Sequence, residues 1–256
     1  MAIKYKNGLV LSGGGTRGFA HLGVIEAMYE LGIQPDVISG VSAGAIVGAF
    51  IAAGIAPQDI LNIFKKGWFF QYTKIHLPVD GLLKLDGVKE IIAKEITAKN
   101  IEDLDIPLHI CVSNLNKGTV EYKNKGPLGD TILASSSIPV LFAPVALGRY
   151  LYLDGGLMDN IPTSPIKNEC ENLIVSNISP INPRAKMKNL IQIATRTVYM
   201  SVNSKTEEVK KQADYYIEPK DIDTYDILMR KHADKLFELG YKCTLETFHK
   251  KAISKL

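Results

Sequence analysis

Cysteine is scarce in this chain: three in 256 residues, at Cys111, Cys170 and Cys243. The number is odd and the spacing wide, which argues against a disulfide framework and a thiolate metal site and predicts a reduced, cytoplasmic setting. Charge of one sign is also lacking, with 30 Lys and Arg against 27 Asp and Glu. The basic residues are dispersed and no patch interleaves them with aromatics, so nucleic acid is not an expected partner. The chain enters an apolar strand by Gly8 with no h-region or cleavage site before it, and no signal peptide is predicted. The one long uncharged run, Val37 to Gln58, is 22 residues, enough to cross a bilayer. It carries Ser39-Gly40-Val41-Ser42-Ala43-Gly44 near its start and is rich in small residues, so it reads as a buried strand, a tight turn and a buried helix.

What is present is ordinary globular material, 46% hydrophobic and 22% charged. That supports one sizeable core, and residues 1–256 are expected to form a single domain. Charge is uneven along the chain: residues 181–256 hold 15 Lys and Arg against 10 Asp and Glu. Such a tail suits either the solvated faces of terminal helices or a peripheral contact with an anionic membrane.

Three glycine-containing segments carry the chemistry. Gly40-Val41-Ser42-Ala43-Gly44 has the G-x-S-x-G form that places a serine on a sharp strand-to-helix turn, where Cβ atoms beside the serine would strike neighbouring backbone. Gly13-Gly14-Gly15-Thr16-Arg17-Gly18 is a glycine loop opening a helix, a source of backbone N–H groups for an oxyanion. Asp154-Gly155-Gly156 offers a carboxylate. Between the first two, Phe19, Leu22, Ile25 and Met28 recur with helical spacing as an amphipathic helix closed by Gly32. The strands Gly8–Ser12 and Val37–Gly40 flank that helix, so they should be parallel and adjacent, with both glycine turns at their C-terminal edge.

Further along, helices are expected over 43–53, 57–66, 87–98, up to Ser137, and over 186–212 and 226–252. Strands are expected at 108–113, 119–122, 150–153, 173–176 and 215–217, with turns at Asn116-Lys117-Gly118 and Gly148-Arg149. The aromatic cluster Gly67-Trp68-Phe69-Phe70-Gln71-Tyr72 suits a cap on an acyl cleft or ordinary packing.

A serine hydroxyl needs a proton acceptor and an oxyanion hole before it becomes a useful nucleophile. None of the five histidines, His21, His76, His109, His232 and His249, sits at a strand's C-terminal end beside a glycine turn. A dyad of Ser42 and Asp154 therefore fits better than a triad, although an unperturbed aspartate, with a pKa near 3.9, is a weak base. Arg17 suits either an anionic group of a substrate or an ion pair that fixes the loop.

Taken together, these segments resemble the patatin-like phospholipase family, particularly its compact bacterial members. The likeness runs through residues 9–24, through Ala134-Ser135-Ser136-Ser137-Ile138-Pro139, and through Asp154 to Pro162. It covers roughly residues 6–180; the segment beyond about 181 is read as a helical extension packed on that core. The resemblance implies a three-layer α/β/α fold around a mostly parallel sheet. It also implies a Ser–Asp dyad that releases fatty acids from lipid or lysophospholipid esters without metal or cofactor. Carried over, Ser42 is the nucleophile, Asp154 its base, Gly13, Gly14 and Gly15 the oxyanion hole, and Arg17 the arginine of that loop. Three rival readings remain: a dinucleotide loop from Gly13, Gly15 and Gly18, acyl transfer on a carrier protein, and a binding role that keeps the motifs. The first lacks an acidic residue at the end of the second strand. The second expects a histidine where Val41 stands.

Overall fold

The computed structural model describes residues 3–66, 86–181, 193, 196–197, 200, 206–227 and 230–253. The aromatic cluster at 67–72, His76 and most of the helix expected between 186 and 205 lie outside them. The strands are β1 (Tyr5–Leu11), β2 (Val37–Gly40), β3 (Leu108–Asn114), β4 (Thr119–Lys123), β5 (Val145–Leu147), β6 (Tyr150–Asp154), β7 (Cys170–Ser176) and β8 (Tyr215–Ile217). The helices are α1 (Phe19–Glu30), α2 (Ala43–Ala52), α3 (Pro57–Lys66), α4 (Asp86–Glu95), α5 (Leu128–Ser135), α6 (Thr206–Gln212) and α7 (Ala233–Ile253).

All eight strands join one sheet in the order β5-β6-β3-β2-β1-β7-β8, with β4 paired to β3. β1 lies parallel to β2 and to β7, β2 parallel to β3, and β7 parallel to β8. The mostly parallel α/β sheet is thus as expected, including the adjacent β1 and β2. Alternation along the strands divides the core in two. Leu9, Leu11, Ile38 and Ile174 face one apolar cluster, shared with α1, α2, α3 and α5. Val10, Val37, Leu173 and Val175 face another, closed by Ile161, Ile166 and Val209 of α6. A parallel sheet needs both faces covered, and among the described residues one cover is a full helical layer and the other a thinner one.

Three elements differ from the sequence expectation. α5 starts at Leu128 after Pro127 and ends at Ser135, because Pro at the N-terminal boundary suits a helix start. β5 was not legible: three residues give too little alternation to register, and the strand exists through its pairing with β6. α1 is buried almost all round, from Phe19 to Ile25 and again at Ala27 and Met28, rather than along one stripe. The cause is α7, which crosses its outer face. A Cβ on Gly23 would stand 1.9 Å from the Phe237 carbonyl oxygen, and one on Gly240 would stand 2.0 Å from that of Ala20. The two backbones touch through these glycines.

Candidate active site

Ser42 follows β2 at the N-terminus of α2 with φ 52° and ψ −121°, a left-handed conformation uncommon outside glycine. Its neighbours explain how the turn is tolerated. A Cβ at Gly40 would meet the Gly44 carbonyl oxygen at 2.6 Å, and one at Gly44 the Leu11 carbonyl oxygen at 2.2 Å. Only glycine at both positions lets the turn close this tightly. The Ser42 N–H donates to Ser135 Oγ at 2.9 Å, and Ser135 Oγ donates to the Cys111 carbonyl at 2.7 Å. Sequence reasoning did not assign Ser135 a role; its signal was the run Ser135-Ser136-Ser137.

Asp154 arrives by an arrangement that no local pattern announces. Along one edge β3 pairs first with β2, through Leu108–Ile110, and then with β6, through Val112–Asn114. β4 takes the opposite edge. β2 and the antiparallel β6 therefore lie end to end, with Gly40 opposite Ile110 and Asp154 opposite Val112. Their C-terminal ends point at each other, which brings the Ser42 hydroxyl close enough to the Asp154 carboxylate to favour its charged form. Gly156 N–H donates to Asp154 Oδ1 at 2.7 Å, and Asp154 N–H to the Ser137 carbonyl at 2.9 Å.

Asp154 is 4% exposed. Burial disfavours its charged form and outweighs the bonds from Gly156 and Ser42, pushing its pKa up from 3.8 to about 7. A carboxylate that is a weak base in water becomes one matched to neutral pH. For any reaction in which Asp154 takes the proton of Ser42, kcat/KM is accordingly expected to rise about tenfold per pH unit below 7 and to level off above it, with one ionisation on the acid limb. Stability runs the other way. Between about pH 4 and 7 the folded protein holds a proton on Asp154 that the unfolded chain has lost, so stability falls as pH rises through that window. Asp154→Asn should raise the melting temperature at pH 8, with the gain shrinking toward pH 4; a pH-independent difference would contradict the buried-carboxylate account.

The glycine loop sits beside the serine. A Cβ on Gly13 would lie 3.4 Å from Ser42 Cβ. The Gly13 N–H is directed at the Asn160 carbonyl, 3.3 Å away, whereas those of Gly14 and Gly15 make no hydrogen bond among the described residues. Gly15 has φ 57°, and a Cβ there would strike the Ile227 carbonyl oxygen at 2.3 Å. The loop is pinned from two sides. Thr16 N–H donates to the Ile227 carbonyl at 2.8 Å and Thr16 Oγ1 to that of Asp226 at 3.0 Å. Arg17 places Nε 2.9 Å from the Tyr225 carbonyl and Nη2 3.1 Å from that of Asp223.

On the other side, His21 Nε2 lies 2.9 Å from the Ser12 carbonyl and Nδ1 2.8 Å from Ser176 Oγ. A carbonyl only accepts, so Nε2 carries the proton and Nδ1 accepts from the serine. Burial lowers the His21 pKa to about 4 and keeps the ring neutral. Ser12 Oγ and Ser179 Oγ both donate to the Gly13 carbonyl. His21 thus braces the loop and does not contact the dyad.

Asn160 was passed over as part of a flanking motif. Its Oδ1 is buried without a hydrogen-bond partner among the described residues, and Cβ atoms placed on Gly13 and Gly156 would stand 2.5 and 2.7 Å from it. Next to the loop and the serine turn lies a small apolar cavity, partly open to solvent, lined by Phe19, Leu22, Ala43, Ile46, Val47 and Phe64 with Gly15, Thr16 and Gly18 at its edge.

The model of the patatin-like phospholipase family matches residues 9–166, which contain every one of these groups up to Asn160. This chain belongs to that family. It is 28% identical over 273 aligned residues to the neuropathy target esterase sws of Drosophila melanogaster, covering 91% of this chain and 19% of that protein. To the lysophospholipase NTE1 of Candida albicans it is 27% identical, over 94% of this chain and 20% of the relative. The chain thus spans about a fifth of the length of these curated relatives. The alignments reach past residue 180, so the likeness extends into the C-terminal segment that the motifs did not cover. Among solved structures, VipD from Legionella pneumophila superposes with a TM-score of 0.57 at 15% identity, over 97% of this chain and 67% of that one. The type III effector ExoU gives 0.53 at 13%, over 97% of this chain and 54% of that one. At such identities the likeness is one of fold, and the fold is the α/β arrangement described above.

Proposed function

We propose that this patatin-like chain is a serine acyl hydrolase acting on lipid esters, with lysophospholipids among its substrates. The observation that carries the reading is the Ser42 hydroxyl, held next to the buried carboxyl of Asp154 and beside an apolar cavity. The names of the relatives, an esterase and a lysophospholipase, agree with it.

In the proposed cycle Asp154 takes the Ser42 proton as Oγ attacks the ester carbonyl carbon. The oxyanion forms against the N–H groups of Gly14 and Gly15, with Gly13 allowing the close approach of loop and serine. Ser42 stands at the positive end of α2, which adds to the stabilisation of developing charge. Collapse breaks the ester C–O bond, the alcohol or lysolipid leaves with the proton from Asp154, and an acyl-serine remains. Water then gives a proton to Asp154 and attacks the acyl carbon, with Asn160 Oδ1 accepting its second hydrogen. The fatty acid leaves and Ser42 regains its proton. Arg17 acts through the loop, holding it by the carbonyls of residues 223 and 225. The same chemistry suits a protein working as a peripheral, cytoplasmic enzyme; no helix among the described residues is long and apolar enough to cross a membrane.

The cavity makes the substrate class testable. With p-nitrophenyl esters of increasing chain length, kcat/KM should rise about fourfold per methylene until the cavity is filled, since each buried CH₂ contributes about 0.8 kcal/mol. Ile46→Trp should block the cavity, flattening that dependence while hydrolysis of the acetyl ester persists. A wild-type profile that does not respond to chain length would remove the acyl-lipid reading and leave a general esterase.

A further inference from the structure

Beyond the level of the dyad the sheet continues as an antiparallel extension, β5-β6-β3-β4, whose far end carries two tight turns. Residues 115–118 join β3 to β4, and residues 148–149 join β5 to β6. Gly118 and Gly148 adopt left-handed φ of 67° and 61°, with no atom of the described residues within 4 Å of where a Cβ would stand, and both turns are exposed. They are also stitched together. Leu115 N–H donates to the Leu151 carbonyl at 2.8 Å, and Leu151 N–H to Asn116 Oδ1 at 2.7 Å. Asn114 Oδ1 accepts the N–H groups of Asn116 and Lys117 at 3.1 and 3.0 Å. The pair is one preorganised surface rather than two independent loops.

Its composition is selective. Leu115 and Leu151 are 49% and 40% exposed. Lys117 Nζ and Arg149 Cζ lie 4.4 and 4.9 Å from the centre of the Tyr150 ring. Neither 115–118 nor 148–151 contains an acidic residue; a carboxylate near the surface is that of Glu121, 3.6 Å from Lys117. Exposed leucines between two cations and a tyrosine have the chemistry of the lipid headgroup level, where aromatic rings sit and basic side chains meet anionic headgroups. The position agrees. From Leu151 to Asp154 the strand climbs three residues, so the surface stands about 10 Å beyond the dyad. That edge is also the one at which the serine turn and the glycine loop open. A leaflet's headgroup region is of similar depth, about 5–8 Å.

We propose that the paired turns 115–118 and 148–151 dock this chain on an anionic lipid bilayer, with Leu115 and Leu151 entering between the headgroups and Lys117 and Arg149 lying against their phosphates. The proposal rests on the reading of Ser42 and Asp154 as a lipid hydrolase and adds how that site meets its substrate: the dyad is held at headgroup depth above the surface from which lipid is drawn.

The test is co-sedimentation of the whole chain with phosphatidylcholine vesicles, with and without phosphatidylserine. Wild type and Ser42→Ala should bind the phosphatidylserine vesicles equally and more tightly than the neutral ones. Each charge removed in Lys117→Gln and Arg149→Gln should weaken that binding about fivefold, and the double variant about 30-fold. Leu115→Ser with Leu151→Ser should weaken binding to both kinds of vesicle. The variants of Lys117, Arg149, Leu115 and Leu151 should all hydrolyse a soluble short-chain ester at the wild-type rate, which certifies their fold. Vesicle binding that these substitutions leave unchanged overturns the proposal. So does a wild-type chain that ignores vesicles, an outcome that would assign the surface to a protein partner. Loss of the hydrolase reading would instead appear as undiminished ester cleavage by Ser42→Ala, a result independent of vesicle binding.

Discussion

Ser42→Ala is expected to lower kcat on a soluble acyl ester by about 10⁶-fold, to the level left by the oxyanion donors and binding alone. Asp154→Ala should cost about 10²–10⁴-fold as the loss of a general base. The two groups act as one unit, so the double variant should be no slower than Ser42→Ala. Side-chain size changes little at either position, and the backbone anchors survive, the Ser42 N–H on Ser135 Oγ and the Asp154 N–H on the Ser137 carbonyl, with the Gly156 N–H losing its carboxylate acceptor in Asp154→Ala. The variants should therefore remain folded, and Asp154→Ala should be more stable than wild type at pH 8 because a buried carboxylate has been removed. The measurement is steady-state hydrolysis beside thermal melting of the same samples. Wild-type rates in a folded Ser42→Ala would end the dyad mechanism. A large loss in Asp154→Ala that sodium acetate restores would locate the defect in the missing base.

The second large effect concerns the crossing of α1 and α7. Gly23→Leu or Gly240→Leu must push apart two helices whose backbones are in contact, since even a Cβ would stand about 2 Å from a carbonyl oxygen of the partner. Overpacking a core costs about 1–3 kcal/mol and occasionally more, and a backbone clash belongs at the upper end. For a chain of this size about 3 kcal/mol corresponds to a fall of roughly 6–12 °C in melting temperature. Activity at low temperature should fall as well, because residues 223–227, just ahead of α7, hold the glycine loop through Thr16 and Arg17. Melting temperatures within about 1 °C of wild type would mean that the helices separate without penalty, and the C-terminal helix would then be an appendage rather than part of the core.

That second case marks where sequence reading stops. The serine turn was legible because its requirements are local: a left-handed residue between two glycines, each facing backbone that a Cβ would strike. The parallel pair β1 and β2 was legible for a related reason, since a strand, a helix and a strand in about 33 residues have one favourable way to pack. The glycine loop followed from its composition, as did the hairpin at Asn116-Lys117-Gly118.

By itself, then, the sequence determined the α/β class, the two glycine turns at one sheet edge and the identities of Ser42 and Asp154 as the candidate pair. The tertiary structure decided how they meet. β2 and β6 abut along one edge of β3 only because β4 occupies the other, a matter of long-range pairing invisible to any window of residues. Burial raises the Asp154 carboxyl to about 7, and burial is a property of the assembled core, so the aspartate that reads as a weak base in the sequence has in the fold the proton affinity that the proposed role requires. The two donors left open in the glycine loop, the bracing of that loop by His21 and by residues 223–227, and the glycine contact between α1 and α7 likewise depend on segments far apart in the chain. Periodicity and turn chemistry act over a few residues, whereas proton affinity and backbone-to-backbone packing are set by whatever the fold brings alongside.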